Sequence, residues 1–158
     1  MRLFADECIP IKAFRSLVES LGRIEPPVEA VHLLERFVQG RPDDEWTLHL
    51  ARDNPRWLVL SADRHRRGRA VDPRLPVILP ALRISSVFFT PTTHQWPAAR
   101  KAEHLMALID DLRAAWAHAP GTRHRLALRR DQPAIEVWPP SKAEASAITS
   151  FRQRLAEP

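Results

Sequence analysis

The sequence predicts an α/β fold: a mainly parallel central sheet with helices on both faces. Three observations carry this reading. Short apolar runs alternate with segments whose apolar residues recur at helical spacing. The run "RWLVLSA" (56–62) is continuously apolar through its centre, as a strand buried on both faces requires. The chain has 158 residues with 44% hydrophobic and 27% charged, enough for one domain with a real core.

The elements follow in order. "RLFA" (2–5) is the first strand, ahead of Asp6 and Glu7. From Ile9 the apolar residues Ile11, Phe14, Leu17, Val18 and Leu21 share one helical face, and Gly22 ends that helix. Pro10 suits the helix's first turn because φ is already fixed there. "VEAVHLL" (28–34) predicts a second strand, entered after Pro26 and Pro27. Within "GRPDDEWTLHLARDNP" (40–55) lies a helix capped by Asp43 or Asp44, with Pro55 beyond its end. "RWLVLSA" and "ISSVFFT" (84–90) are the next strands. The proline-rich stretch from Asp72 to Pro97 reads, apart from that strand, as short turns and broken helix. From Ala98 one long helix is expected, with Ala102, Leu105, Met106, Ile109, Leu112 and Trp116 as its core-packing stripe. "TRHRLALRR" (122–130) and "AIEVWP" (134–139) predict a hairpin across "DQP". "SKAEASAITSFRQRLAE" (141–157) opens on a capping box, Ser141 to Glu144, and predicts a final helix. The whole reads as a single domain over 1–158. Its core spans about 1–118, and the hairpin and helix extend it over about 121–158.

Composition narrows the classes. No apolar run approaches the ~20 residues of a membrane span, and no signal-peptide pattern opens the chain. One cysteine excludes an internal disulfide and a multi-cysteine zinc site. A cytoplasmic location is the expectation. The net charge is +5, and of 24 basic residues only Lys12, Lys101 and Lys142 are lysine. "DRHRRGR" (63–69) gathers Arg64, Arg66, Arg67 and Arg69 behind Asp63, a pattern suited to a polyanion.

The acids point to chemistry. In an open parallel sheet, sites form at the carboxyl ends of strands. Asp6 ends the first strand, Asp63 ends the strongest, and Asp43 and Glu45 open the helix between them. If the two strands are neighbours, Asp6 and Asp63 converge. Clustered carboxylates repel unless a cation neutralises them. Hard oxygen donors suit Mg²⁺ or Mn²⁺, which also bind phosphate oxygens and can assist phosphodiester hydrolysis. Structural roles stand beside these. Asp43 suits a helix cap, Asp44 and Glu45 suit first-turn dipole charges, and Glu7 a solvated or arginine-paired acid. Cys8 suits a small buried residue without the histidine partner a nucleophile needs.

"FADECIP", "PDDEWTLHLAR" and "WLVLSADRH" together resemble the three signature blocks of the PIN-like domain family, specifically its compact bacterial branch of toxin-type nucleases. The resemblance covers roughly residues 1 to 70. It implies the PIN-like three-layer fold and a Mg²⁺- or Mn²⁺-dependent ribonuclease with Asp6, Glu45 and Asp63 as metal-binding acids. Asp43 would be their helper. His65 stands where the family has a second aspartate, which makes it a candidate ligand; Asp72 is a substitute. The implied partners are RNA, steered by the arginines of 63–69, an antitoxin protein covering the acidic pocket, and a second copy of the chain.

Two other readings compete. One is a PIN-like module that binds RNA or protein without cutting. The other is a phosphoacceptor receiver domain, with Asp63 as acceptor and Thr90 as switch hydroxyl. That domain needs a lysine at a later strand end. Lys101 falls in the long helix and Lys142 after the hairpin, so the receiver reading is the weaker.

Overall fold

The computed structural model describes residues 1–21, 23, 27–53, 56–62, 75–130 and 132–157. Among the described residues six strands form one sheet: β1 (Arg2–Ala5), β2 (Glu29–His32), β3 (Leu58–Ser61), β4 (Ser85–Phe89), β5 (Arg123–Arg129) and β6 (Gln132–Val137). Their spatial order is β2-β1-β3-β4-β5-β6. The first five run parallel and β6 returns antiparallel on β5. The mixed α/β architecture with a mostly parallel sheet is the one expected, and β1 and β3 are neighbours, with Phe4 beside Val59.

Strand alternation divides the core. Leu3, Ala5, Leu58, Leu60, Val87, Phe89 and Leu126 face one side. They meet α1 (Ile11–Leu21), α6 (Ala98–Ala107) and α7 (Ile109–Ala117) through residues such as Phe14, Leu17, Leu105 and Leu112. Phe4, Val59 and Phe88 face the other side and meet α3 (Asp43–Ala51) and α4 (Leu75–Ala81) through Trp46, Leu50, Leu75 and Leu79. The terminal helix α8 (Lys142–Ala156) then packs Ile148 and Phe151 on Val77, Ile78 and Ala81 of α4.

Four expectations about elements need correction. The second strand stops at His32, and Leu33–Arg36 is a short helix, α2. Its cap is a histidine: His32 accepts the Leu34 N–H at Nδ1, and Glu35 reaches back to the His32 N–H at 3.0 Å. Pro42, not Asp43 or Asp44, precedes the first residue of α3, and it offers no side-chain cap. The long helix is two. At Leu108 the backbone leaves helical values, at φ −101 and ψ 19, and divides α6 from α7. The proline-rich stretch holds a buried helix, α4, as well as the short α5 (Pro91–His94). All seven residues of α4 are buried, and Pro80, one residue from its end, leaves little helix beyond the break a proline makes.

The hairpin and the final helix form as expected. Ser141 and Glu144 exchange side-chain and backbone bonds at 2.8 and 3.3 Å. Gly121, at φ +87, brings the chain into β5. A Cβ there would sit 3.0 Å from the Pro80 carbonyl oxygen, so both conformation and space select glycine.

Candidate active site

Between β1 and β3 the chain direction of the connections reverses: β1 leads outward to β2, and β3 then pairs on the other side of β1. Such a switch point leaves a crevice at the carboxyl ends of the two strands. Asp6 stands there. Its N–H continues the ladder onto the Leu60 carbonyl at 3.1 Å. The residue is only 3% exposed, so its carboxylate is oriented by protein donors: the Ser61 hydroxyl on Oδ2 and the Cys8 N–H on Oδ1 at 3.0 Å. A turn closed by the Ile9 N–H on the Asp6 carbonyl holds the segment (3.1 Å).

His32 fixes that turn from below. It is fully buried, and its Nε2 lies 2.7 Å from the Ile9 carbonyl oxygen. Nδ1 already accepts the Leu34 N–H at 3.1 Å, so Nε2 carries the proton and donates. One neutral imidazole thus ties the loop after β1 to the start of α2.

The second acid comes from α3. Trp46 is fully buried and stacks on Phe4 at 5.4 Å between ring centroids. Its indole N–H donates to Asp43 Oδ1 at 3.1 Å, so the core sets the direction of a carboxylate at the helix's first residue. Asp6, Glu7, Cys8, Arg41, Asp43 and Trp46 line one pocket of about 120 Å³. Glu7 accepts the Gly40 N–H at 3.4 Å. Gly40 has φ +76, the left-handed turn that carries the chain into Arg41.

The structure therefore brings Asp6 and Asp43 together, and it places Glu45 differently from the expectation. Glu45 is 52% exposed at its side chain and accepts the Arg41 Nε–H at 2.9 Å; it does not line the pocket. The reason is helical: Glu45 lies two residues beyond Asp43, on another side of the first turn. Asp44 accepts the Glu45 N–H at 3.1 Å, a first-turn role. Cys8, expected to be buried, is exposed at the pocket. Asp63, Arg64, His65, Arg66, Arg67, Arg69 and Asp72 lie outside the described residues. Sequence reasoning had not singled out His32, Arg41 or Trp46. The one available signal was the spacing of Arg41 and Glu45, four residues apart.

Among the described residues no group of three His, Cys, Asp or Glu side chains could hold a metal ion. The donor chemistry nevertheless fits Mg²⁺ or Mn²⁺. Asp6 and Asp43 offer hard oxygens oriented by neutral donors, and Mg²⁺ uses one or two carboxylates together with waters and phosphate oxygens. Asp63 follows Ser61, which touches Asp6, by two positions in the chain.

A family model described as a PIN like domain matches residues 1–72. The match spans all three sequence blocks and includes the whole pocket except Leu75. No curated protein and no solved structure matches the chain. Among the described residues no helix is long and apolar enough to cross a membrane.

Proposed function

With residues 1–72 matched to the PIN-like domain, a fold generally used by nucleases, we propose that this protein is a metal-dependent ribonuclease of the toxin type. The observation that supports this most is the pocket at the β1/β3 switch point, where two oriented carboxylates, Asp6 and Asp43, share one cleft.

In this reading Asp6, Asp43 and Asp63 hold Mg²⁺ or Mn²⁺, with His65 as a further ligand. A bound ion of this kind acts as a Lewis acid toward the phosphate and lowers the pKa of its water. The chain's own residues do the positioning. The Ser61 hydroxyl and the Cys8 N–H donate to the Asp6 carboxylate and aim it. Trp46 aims Asp43. Leu33 and Leu75 close the pocket with apolar surface, which limits competing water. Arg64, Arg66, Arg67 and Arg69 would draw the RNA backbone toward an otherwise repulsive cleft. An antitoxin covering this pocket and a homodimer belong to the same proposal.

The test is cleavage of single-stranded RNA. The expected result is activity with Mn²⁺ or Mg²⁺, none in EDTA, and loss in Asp6→Asn and in Asp63→Asn. Equal cleavage by either variant in a clean preparation would overturn the proposal. The second reading, an RNA-binding module that does not cut, is favoured by Glu45 being committed to Arg41. It predicts RNA binding by the wild-type chain without metal-dependent products.

A further inference from the structure

Arg41 is a cation inside a pocket whose other charged lining residues are Asp6, Glu7 and Asp43. Its placement is built from three sides. Gly40 turns at φ +76 and is tied through its N–H to Glu7 at 3.4 Å. Glu45 holds the guanidinium by Nε alone, at 2.9 Å. The guanidinium carbon lies 5.5 Å from the Phe37 ring centroid. The two terminal amino groups have no hydrogen-bond partner among the described residues. A guanidinium held by Nε keeps its Nη fork for a planar, two-oxygen acceptor. The side chain is 35% exposed, so that fork is open to a ligand.

We propose that Arg41 is a phosphate-binding residue for RNA entering this pocket, and that Glu45 is a positioning residue that aims it rather than a metal ligand. The proposal rests on the RNA-cleaving reading for the identity of the anion, but its chemistry is separate. An RNA phosphate between the acids and Arg41 supplies the oxygens that carboxylates repel and a guanidinium attracts. Glu7 contributes at one remove, by fixing Gly40 and so the entry of the chain into Arg41.

The experiment uses the whole 158-residue chain and a short labelled single-stranded RNA, titrated in EDTA across a range of salt so that no cleavage interferes. Arg41→Gln should weaken RNA binding about fivefold, in line with one partly exposed ionic contact. It should lower the slope of log affinity against log salt by about 0.7. Arg41→Lys should recover the salt slope but not the full affinity, because ammonium keeps the charge and loses the fork. Glu45→Gln should lower RNA affinity in the same direction by a smaller factor. Mn²⁺ affinity, measured by calorimetry without RNA, should not fall in any of the three. Unchanged RNA affinity and slope in Arg41→Gln would overturn the phosphate contact. Loss of Mn²⁺ binding in Glu45→Gln would overturn the positioning role and return Glu45 to the ligand set. If the wild-type chain binds RNA through Arg41 but never cuts it, the inference stands and the nuclease reading falls. If it binds no RNA at all, both fall.

Discussion

The chain uses carboxylates in two ways. In the C-terminal hairpin and α8, Glu136 and Glu144 are matched to arginines. Arg123, with a side chain only 1% exposed, contacts Glu144 and donates to the carbonyls of Pro76, Trp138 and Pro139. Glu136 accepts from both Arg125 and Arg129. At the β1/β3 switch point, Asp6 is oriented by a hydroxyl and a backbone N–H, and Asp43 by an indole. Acids paired with cations fasten the fold. Under the proposed function, the two acids that share the switch-point pocket carry the chemistry.

This contrast predicts opposite responses to mutation. The largest stability loss should come from Arg123→Ala. It leaves Glu144 and three carbonyls without their cation and should cost about 3–5 kcal/mol in urea unfolding. Metal-dependent activity should be retained wherever the variant is folded. A loss of activity matching that of Asp6→Asn at a temperature where the variant is folded would break the comparison. Gly121→Ala comes next, at about 1–3 kcal/mol, from a positive φ and a carbonyl in the way of Cβ.

Acid should act on the extension in two steps. His124 is buried beside His118, with 2.8 Å between ring nitrogens, and donates through Nδ1 to the Ser86 carbonyl at 3.1 Å. Burial, with the neighbouring His118 adding to it, holds its pKa below the usual 6.5. The unfolded chain therefore binds that proton first, and stability falls as pH drops below 6.5 until the folded value is reached. Burial works to raise the Glu144 pKa, but the Arg123 guanidinium and Ser141 prevail and hold it below 4.5. Its stabilisation is present above that value and is lost as pH falls through the lower folded one. Denaturation midpoints between pH 8 and 3 should show both steps, and His124→Gln should remove the first. The smallest effect should be that of Glu136→Gln. The Arg129 and Arg125 contacts hold its pKa down, but the group is solvent-screened, so the melting temperature should barely move.

The regions also differ in how far the sequence revealed them. The buried strands were legible because a parallel strand covered on both faces is a plain apolar run: Leu58, Val59 and Leu60 are all fully buried. The break at Leu108 was not, because α6 and α7 pack on the same side of the sheet and their apolar stripe runs on from Leu105 to Leu112. Leu33 and Leu34 read as strand because a histidine cap is outside the usual Ser, Thr, Asp and Asn signals. At the site, Asp6 was legible from its place after β1. The Asp43–Trp46 bond depends on how α3 seats against Phe4, which local spacing does not show; for Glu45 the one local signal was its four-residue spacing from Arg41.

The central claim is the proposal that the switch-point acids bind a cation. Mn²⁺ titration calorimetry on the wild-type chain and on Asp6→Asn tests it most directly. Asparagine can keep the two contacts described above, accepting from the Cys8 N–H and donating to the Ser61 hydroxyl, so the urea midpoint should stay near that of the wild type. The account predicts Mn²⁺ binding by the wild type that weakens by more than about tenfold in the variant, since outer-shell partners alone are worth that much. Equal affinity in the two proteins, or no binding in either, would contradict it.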